Sequence, residues 1–103
     1  MNLRQLFGLK PKADIKQIYK DGAIVIDVRT PMEYQAGHFG KSSNIPLNKI
    51  DTKIDFLKSK NKPIILICRS GGRAGTATNI LKSAGVEVYN GGGWESFRMK
   101  VRS

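Results

Sequence analysis

The six residues Pro63-Ile64-Ile65-Leu66-Ile67-Cys68 carry no charged or strongly polar side chain. A strand with one wet face alternates apolar and polar positions, whereas a run that is apolar throughout needs cover on both faces. The run therefore predicts a central strand, and cover on both faces points to a layered α/β fold. Ala23-Ile24-Val25-Ile26-Asp27-Val28 reads as a second buried strand. Ser42 to Pro46 reads as a short third strand halted by proline, and Val86-Glu87-Val88-Tyr89 as an alternating fourth.

Helical signals lie between these strands. Ile15, Ile18 and Tyr19 recur at helical spacing within residues 13–22, which close on Gly22. Thr30-Pro31-Met32-Glu33 has the order of a helix start: a capping threonine, proline at the first helical position and a glutamate three residues after the cap. Gly37 should end that helix. Residues 50–60 put Ile50, Ile54 and Leu57 on one face, and residues 73–85 put Ala77, Ile80, Leu81 and Ala84 on another, with Gly85 as the stop. Residues 90–97 read as a glycine-rich turn into a last short helix. The alternation predicts a small, mainly parallel sheet with helices on both faces. At 103 residues the chain suits one domain, 1–103, with its motif-bearing core at about 13–98.

Ligands of open α/β sheets sit beyond the carboxyl ends of the strands. Cys68, the only cysteine, stands there, followed by Arg69-Ser70-Gly71-Gly72-Arg73 and then a helix. Adjacent glycines let successive N–H groups point inward as an anion-binding nest, and the helix start adds its own amides. Such a ring, with two guanidinium groups beside it, favours a thiolate, the nucleophilic form. Taken alone, a cysteine ending an apolar strand is a small buried hydrophobe. The arginines and paired glycines turn that reading toward an activated cysteine in an anion cup.

Three segments together resemble a single-domain rhodanese, a thiosulfate sulfurtransferase-like fold. They are Asp27 to Pro46 (DVRTPMEYQAGHFGKSSNIP), Cys68 to Ala74 (CRSGGRA) and Tyr89 to Phe97 (YNGGGWESF). One departure is Lys41-Ser42, where the family pattern has Gly-Ala. The resemblance implies a rhodanese-like α/β fold. It further implies that Cys68 takes sulfane sulfur from a donor such as thiosulfate, becomes a persulfide, and passes the sulfur to a thiol or other nucleophile. By the same resemblance the backbone of residues 69–73 cradles the sulfur, and Arg69 and Arg73 contact the anion. One of the two could instead pair with a carboxylate. Two alternatives stand beside this: a persulfide carrier or regulatory module without turnover, and a cysteine-dependent phosphatase. Against the phosphatase, Cys68 and Arg73 are separated by four residues rather than five, and Ala74 occupies the phosphatase arginine position.

His38, the one histidine, is expected to hydrogen-bond a loop rather than act as a base. Asp27 is expected to pair with an arginine such as Arg29, and Trp94 to pack as a lid or core residue. No metal or cofactor is expected, since one cysteine and one histidine make a poor ligand set. No segment approaches the ~20 apolar residues of a membrane span. The N-terminal decapeptide, broken by Arg4 and Gln5, does not read as a signal peptide. A lone cysteine suits a reducing compartment, and a cytoplasmic location is expected.

The formal charge is +10, from 18 Lys and Arg against 8 Asp and Glu. Without interleaved aromatic residues this does not point to nucleic acid. Lys53, Lys58, Lys60 and Lys62, with Arg98, Lys100 and Arg102, suggest an acidic protein acceptor, with a plain solvated face as the simpler reading. The expected partners are a small anionic sulfur donor and an external thiol or protein acceptor, the protein itself being a monomer or weak dimer.

Overall fold

The computed structural model describes residues 13–103, so the expectation for the N-terminal decapeptide lies outside the described residues. The elements follow in the order α1 (Ile15–Lys20), β1 (Ile24–Asp27), α2 (Pro31–Ala36), β2 (Ser42–Asn44), a 3-10 helix (Leu47–Lys53), α3 (Ile54–Lys58), β3 (Ile64–Cys68), α4 (Gly72–Ser83), β4 (Val88–Gly93) and α5 (Trp94–Arg102). The sheet runs β2-β1-β3-β4, and every neighbouring pair is parallel. β3 lies between β1 and β4 with all five residues buried, the position its unbroken apolar run demands.

The pleat divides the core in two. Ile64, Leu66 and Cys68 face one way, with Ile26, Val28, Ile50, Leu57 and the buried alanines of α4. Ile65 and Ile67 face the other, with Val25, Phe39 and Phe97, against which Ile15, Ile18 and Tyr19 of α1 pack. Helices thus cover both faces, and no helix of the described residues is long and apolar enough to cross a membrane.

The α2 start has the expected chemistry. Thr30 Oγ1 accepts from the Glu33 N–H at 3.3 Å, and Glu33 Oε1 accepts from the Thr30 N–H at 3.1 Å. Two elements differ from the sequence reading. The helix expected over 50–60 begins as a 3-10 helix and is α-helical only over Ile54–Lys58. Leu47 and Ile50 both reach the core three residues apart, which is the 3-10 period.

The second difference matters for function. The last strand, expected over 86–89, occupies Val88–Gly93, so the glycine run is strand rather than turn. Leu66 pairs with Asn90 and Ile67 with Gly92, which leaves Gly91 as the extra residue of a bulge. A Cβ at Gly91 would fall 2.6 Å from Ile65 Cγ2. Only a residue without a side chain lets β4 lie so close to β3 there.

Candidate active site

Strand β3 delivers Cys68 to the carboxyl edge of the sheet, and the chain then turns through Arg69, Ser70 and Gly71 into α4. Gly71 takes φ +103°, a left-handed conformation that side chains resist, and this swings the loop back over the cysteine. Cys68 Sγ accepts the Gly71 N–H at 3.0 Å and the Ala74 N–H at 3.4 Å. The first turn of a helix has N–H groups without intrahelical partners, and Ala74 carries one of them. Gly71 itself gives α4 no side-chain cap. The sulfur therefore fills the capping position, at the positive end of the helix dipole. Cys68 is 1% exposed and forms the floor of the cup, while Arg69, Ser70 and Gly72 lie at the exposed rim.

The two loop arginines are placed differently. Arg73 Nη1 and Nη2 donate to Glu33 Oε1 and Oε2 at 2.6 and 2.9 Å, a bidentate pair joining α4 to the start of α2. Arg69 is exposed and makes no side-chain hydrogen bond or ion pair among the described residues. The sequence raised pairing with a carboxylate for one arginine without saying which.

The Arg73 guanidinium, helped by the Thr30 N–H, holds the Glu33 carboxyl at about 2, well below the usual carboxylate range. A depressed carboxyl contributes stability above its unfolded value and loses it as pH falls through its folded one. Melting temperature should therefore fall along an acid limb from the unfolded value of 4.5 toward 2. Glu33→Gln should flatten that limb in thermal melts followed by circular dichroism. An unchanged limb in the variant would remove Glu33 as its source.

Behind the loop stands β4. Asn90 Nδ2 donates to the Gly71 carbonyl at 3.1 Å, and Asn90 Oδ1 accepts from the Gly92 N–H at 2.9 Å. Gly93 touches the loop from below, where a Cβ would lie 2.6 Å from the Arg69 carbonyl oxygen. The φ of Gly93, −73°, suits any residue, so its requirement is purely steric. Gly93→Ala should push the loop off the sheet, lowering stability by ~1–3 kcal/mol as other overpacking changes do. The displaced amides should slow reaction at Cys68 by up to ~10²-fold, the penalty of a misplacement near 1 Å. Alkylation rates and denaturant melts would show both effects, and wild-type values in both would remove Gly93 as the brace.

Asn90 and Gly93 were missed as site residues in the sequence because the glycine run read as a turn. An asparagine before three glycines at a strand end was the available signal.

Asp27, Trp94 and His38, also singled out in the sequence, have partners other than the sulfur. Asp27 is fully buried and pairs with Arg29 at 2.8 Å, and the Arg29 Nη2 group also donates to the Gly37 carbonyl at 2.8 Å. Asn44 Nδ2 donates to the Asp27 and Arg29 carbonyls, both at 2.9 Å, tying β2 to the end of β1. The Trp94 ring is approached by two guanidinium groups, those of Arg29 at 5.0 Å and Arg98 at 5.1 Å from its centroid. Its ring also lies 3.5 Å from where a Gly37 Cβ would stand. His38 donates through Nδ1 to the Tyr34 carbonyl at 2.7 Å and is exposed, so it serves the end of α2 rather than the sulfur.

Comparison with known proteins agrees with this architecture. The sequence matches the Rhodanese-like domain family over residues 12–100. It is 34% identical over 83 residues to the uncharacterised protein YqhL of Bacillus subtilis (strain 168), covering 79% of this chain and 65% of that protein. The chain thus spans just under two thirds of that relative's length. It is 36% identical over 76 residues to the thiosulfate sulfurtransferase PspE of Escherichia coli (strain K12), covering 72% of this chain and 73% of PspE. Among solved structures, a rhodanese with anions from E. coli superposes with a TM-score of 0.65 at 34% identity, over 72% of this chain and 89% of that one. With the parallel sheet, the buried cysteine capping α4 and a family match running nearly end to end, the chain belongs to the Rhodanese-like domain family.

Proposed function

We propose that the protein is a sulfurtransferase whose sulfur carrier is Cys68. The observation that carries this reading is the pair of backbone N–H groups, from Gly71 and Ala74, aimed at a single buried Sγ. Such a cradle holds an anionic sulfur and is too short to ring a phosphate. The Ala74 position offers a fully buried methyl group where a phosphatase would need a guanidinium. The PspE relative is named a thiosulfate sulfurtransferase, which supports thiosulfate as a donor here.

The reaction balances in two steps. The Cys68 thiolate attacks the outer sulfur of thiosulfate. A new S–S bond forms, the bond to the sulfonate sulfur breaks, and its electron pair leaves on sulfite. An acceptor, either cyanide or a thiolate, then attacks the outer sulfur of the persulfide, and the electron pair of the broken S–S bond returns to Cys68 as thiolate. The two N–H groups hold the anion in both resting and leaving states. Arg69 receives the donor, because Glu33 already occupies Arg73. No second cysteine exists to resolve the persulfide internally, so the acceptor comes from outside and a reducing, thiol-rich compartment suits the cycle.

Intact-mass measurement after thiosulfate treatment should find one added sulfur, and initial rates with cyanide should give parallel double-reciprocal lines. Arg69→Ala should raise the KM for thiosulfate roughly tenfold, the scale of a lost charge-assisted contact, with a smaller change in kcat. Labelling without turnover would instead assign the protein as a persulfide carrier. Faster hydrolysis of aryl phosphates than uptake of sulfur would overturn the reading.

A further inference from the structure

A groove runs along the face of the sheet that α3 covers. Its cavity of about 740 Å³ is floored by Ile24, Ile45 and the half-exposed Phe56 and rimmed by Lys53, Lys60 and Lys62. That volume lies within the ~300–1,000 Å³ of ligand pockets. Lys60 Nζ stands 4.5 Å from the centroid of the Phe56 ring, so charge and apolar surface meet at one point. Among the described residues the ion pairs are Arg29–Asp27 and Arg73–Glu33, which leaves all three rim lysines without an acidic partner.

The groove also leads toward the cup. Ser43, Asn44 and Ile45 line it, and the next three residues, Pro46, Leu47 and Asn48, line a second cavity of about 270 Å³ that includes Arg73. One continuous segment, 43–48, therefore borders both the lysine rim and the flank of the cysteine loop. An extended chain laid beside six residues spans on the order of 15–20 Å. β2, which begins this segment, is an edge strand of the sheet.

We propose that this groove docks an extended acidic segment of the protein that accepts the sulfur, an inference that rests on the sulfurtransferase reading. Three separated ammonium groups call for several carboxylates, and a single fatty carboxylate would leave two of them unmatched. The Asn44 amide N–H groups and the Ser59 hydroxyl are bonded within the protein, so the lining meets a partner with the Ser43 hydroxyl and the oxygen acceptors of Asn44 and Ser59, which suit a peptide backbone better than an alkyl chain. The excess positive charge of the whole molecule draws such a partner in, and the rim selects where it settles.

Binding can be read without sulfur chemistry, in Cys68→Ser protein. The probe is a fluorescein-labelled decapeptide of alternating glutamate and leucine, followed by fluorescence anisotropy, with an alternating lysine and leucine peptide as its counterpart. Reversal of the rim by Lys53→Glu, Lys60→Glu and Lys62→Glu should weaken the acidic peptide at least ~10-fold. Reversal of three charges elsewhere, by Lys82→Glu, Lys100→Glu and Arg102→Glu, should weaken it less than ~2-fold, which separates a local site from net charge. With Cys68 intact, the rim variant should keep thiosulfate-to-cyanide transfer within ~2-fold of wild type, because cyanide needs no docking surface. That arm separates failed docking from failed sulfur chemistry. Equal losses in the two reversals, equal binding of the lysine peptide, displacement of the probe by decanoate, or a cyanide rate that falls with binding would each overturn the proposal.

Discussion

Cys68→Ser is expected to abolish both the added sulfur and its transfer to cyanide, a loss of ~10³-fold or more, the scale on which removal of a covalent nucleophile is felt. The substitution is nearly isosteric. A serine oxygen at this position can still accept from the Gly71 and Ala74 N–H groups, which now lie 3.0 and 3.4 Å from Sγ. The helix start therefore stays capped and the fold should survive, so circular dichroism and melting temperature should stay close to wild type. Sulfur transfer persisting in the serine variant would overturn the mechanism. Loss of transfer accompanied by unfolding would mean that the sulfur's place in the cap, rather than its nucleophilicity, had been tested. Cys68→Ala, which leaves both N–H groups without a partner, should accordingly be the less stable of the two variants.

The largest effect on stability is expected at Asp27, which no step of the chemistry requires. Arg29 Nε and Nη2 donate to its carboxylate at 2.8 to 3.1 Å, and the Arg29 N–H donates at 3.0 Å. Both side chains are buried. Asp27→Ala leaves the buried guanidinium, which stands 5.0 Å from the centroid of the Trp94 ring, without its counter-charge. Removing one partner of a buried pair costs ~3–5 kcal/mol. In a domain of this size each kcal/mol moves the midpoint by roughly 4–8 °C, so a fall well beyond ~10 °C is expected in thermal melts. Adding Arg29→Met should recover part of the loss, because the stranded charge is then gone. A double variant no more stable than Asp27→Ala would show that Arg29 acts through its bonds to the Gly37 and Glu33 carbonyls instead.

Much of the architecture was legible locally. The β3 run is apolar on both parities, and its place inside the sheet follows from that alone. The α2 cap needs only residues within one helical turn of each other, and it forms as Thr30, Pro31 and Glu33 predict. Gly71 supplies a backbone angle that the turn after Cys68 requires. Each of these is a contact, angle or pattern of neighbours in the chain, which is why the sequence by itself determined the layered fold, the position of the cysteine and the shape of the turn above it.

What the sequence left open depends on residues far apart in the chain. Glu33 and Arg73 stand 40 residues apart, and nothing local tells Arg73 from Arg69 as the partner of a carboxylate. The fold brings the start of α4 within reach of the start of α2, so that Arg73 pairs with Glu33, while Arg69 makes no side-chain hydrogen bond or ion pair among the described residues. The glycines from Gly91 to Gly93 read as a turn because glycine is permissive. In the fold they are a strand, held to glycine by the Ile65 side chain at Gly91 and the Arg69 carbonyl at Gly93. A residue without a side chain carries no local sign of what it must avoid, so only the tertiary structure could decide that these glycines lie against Ile65 and the loop after Cys68.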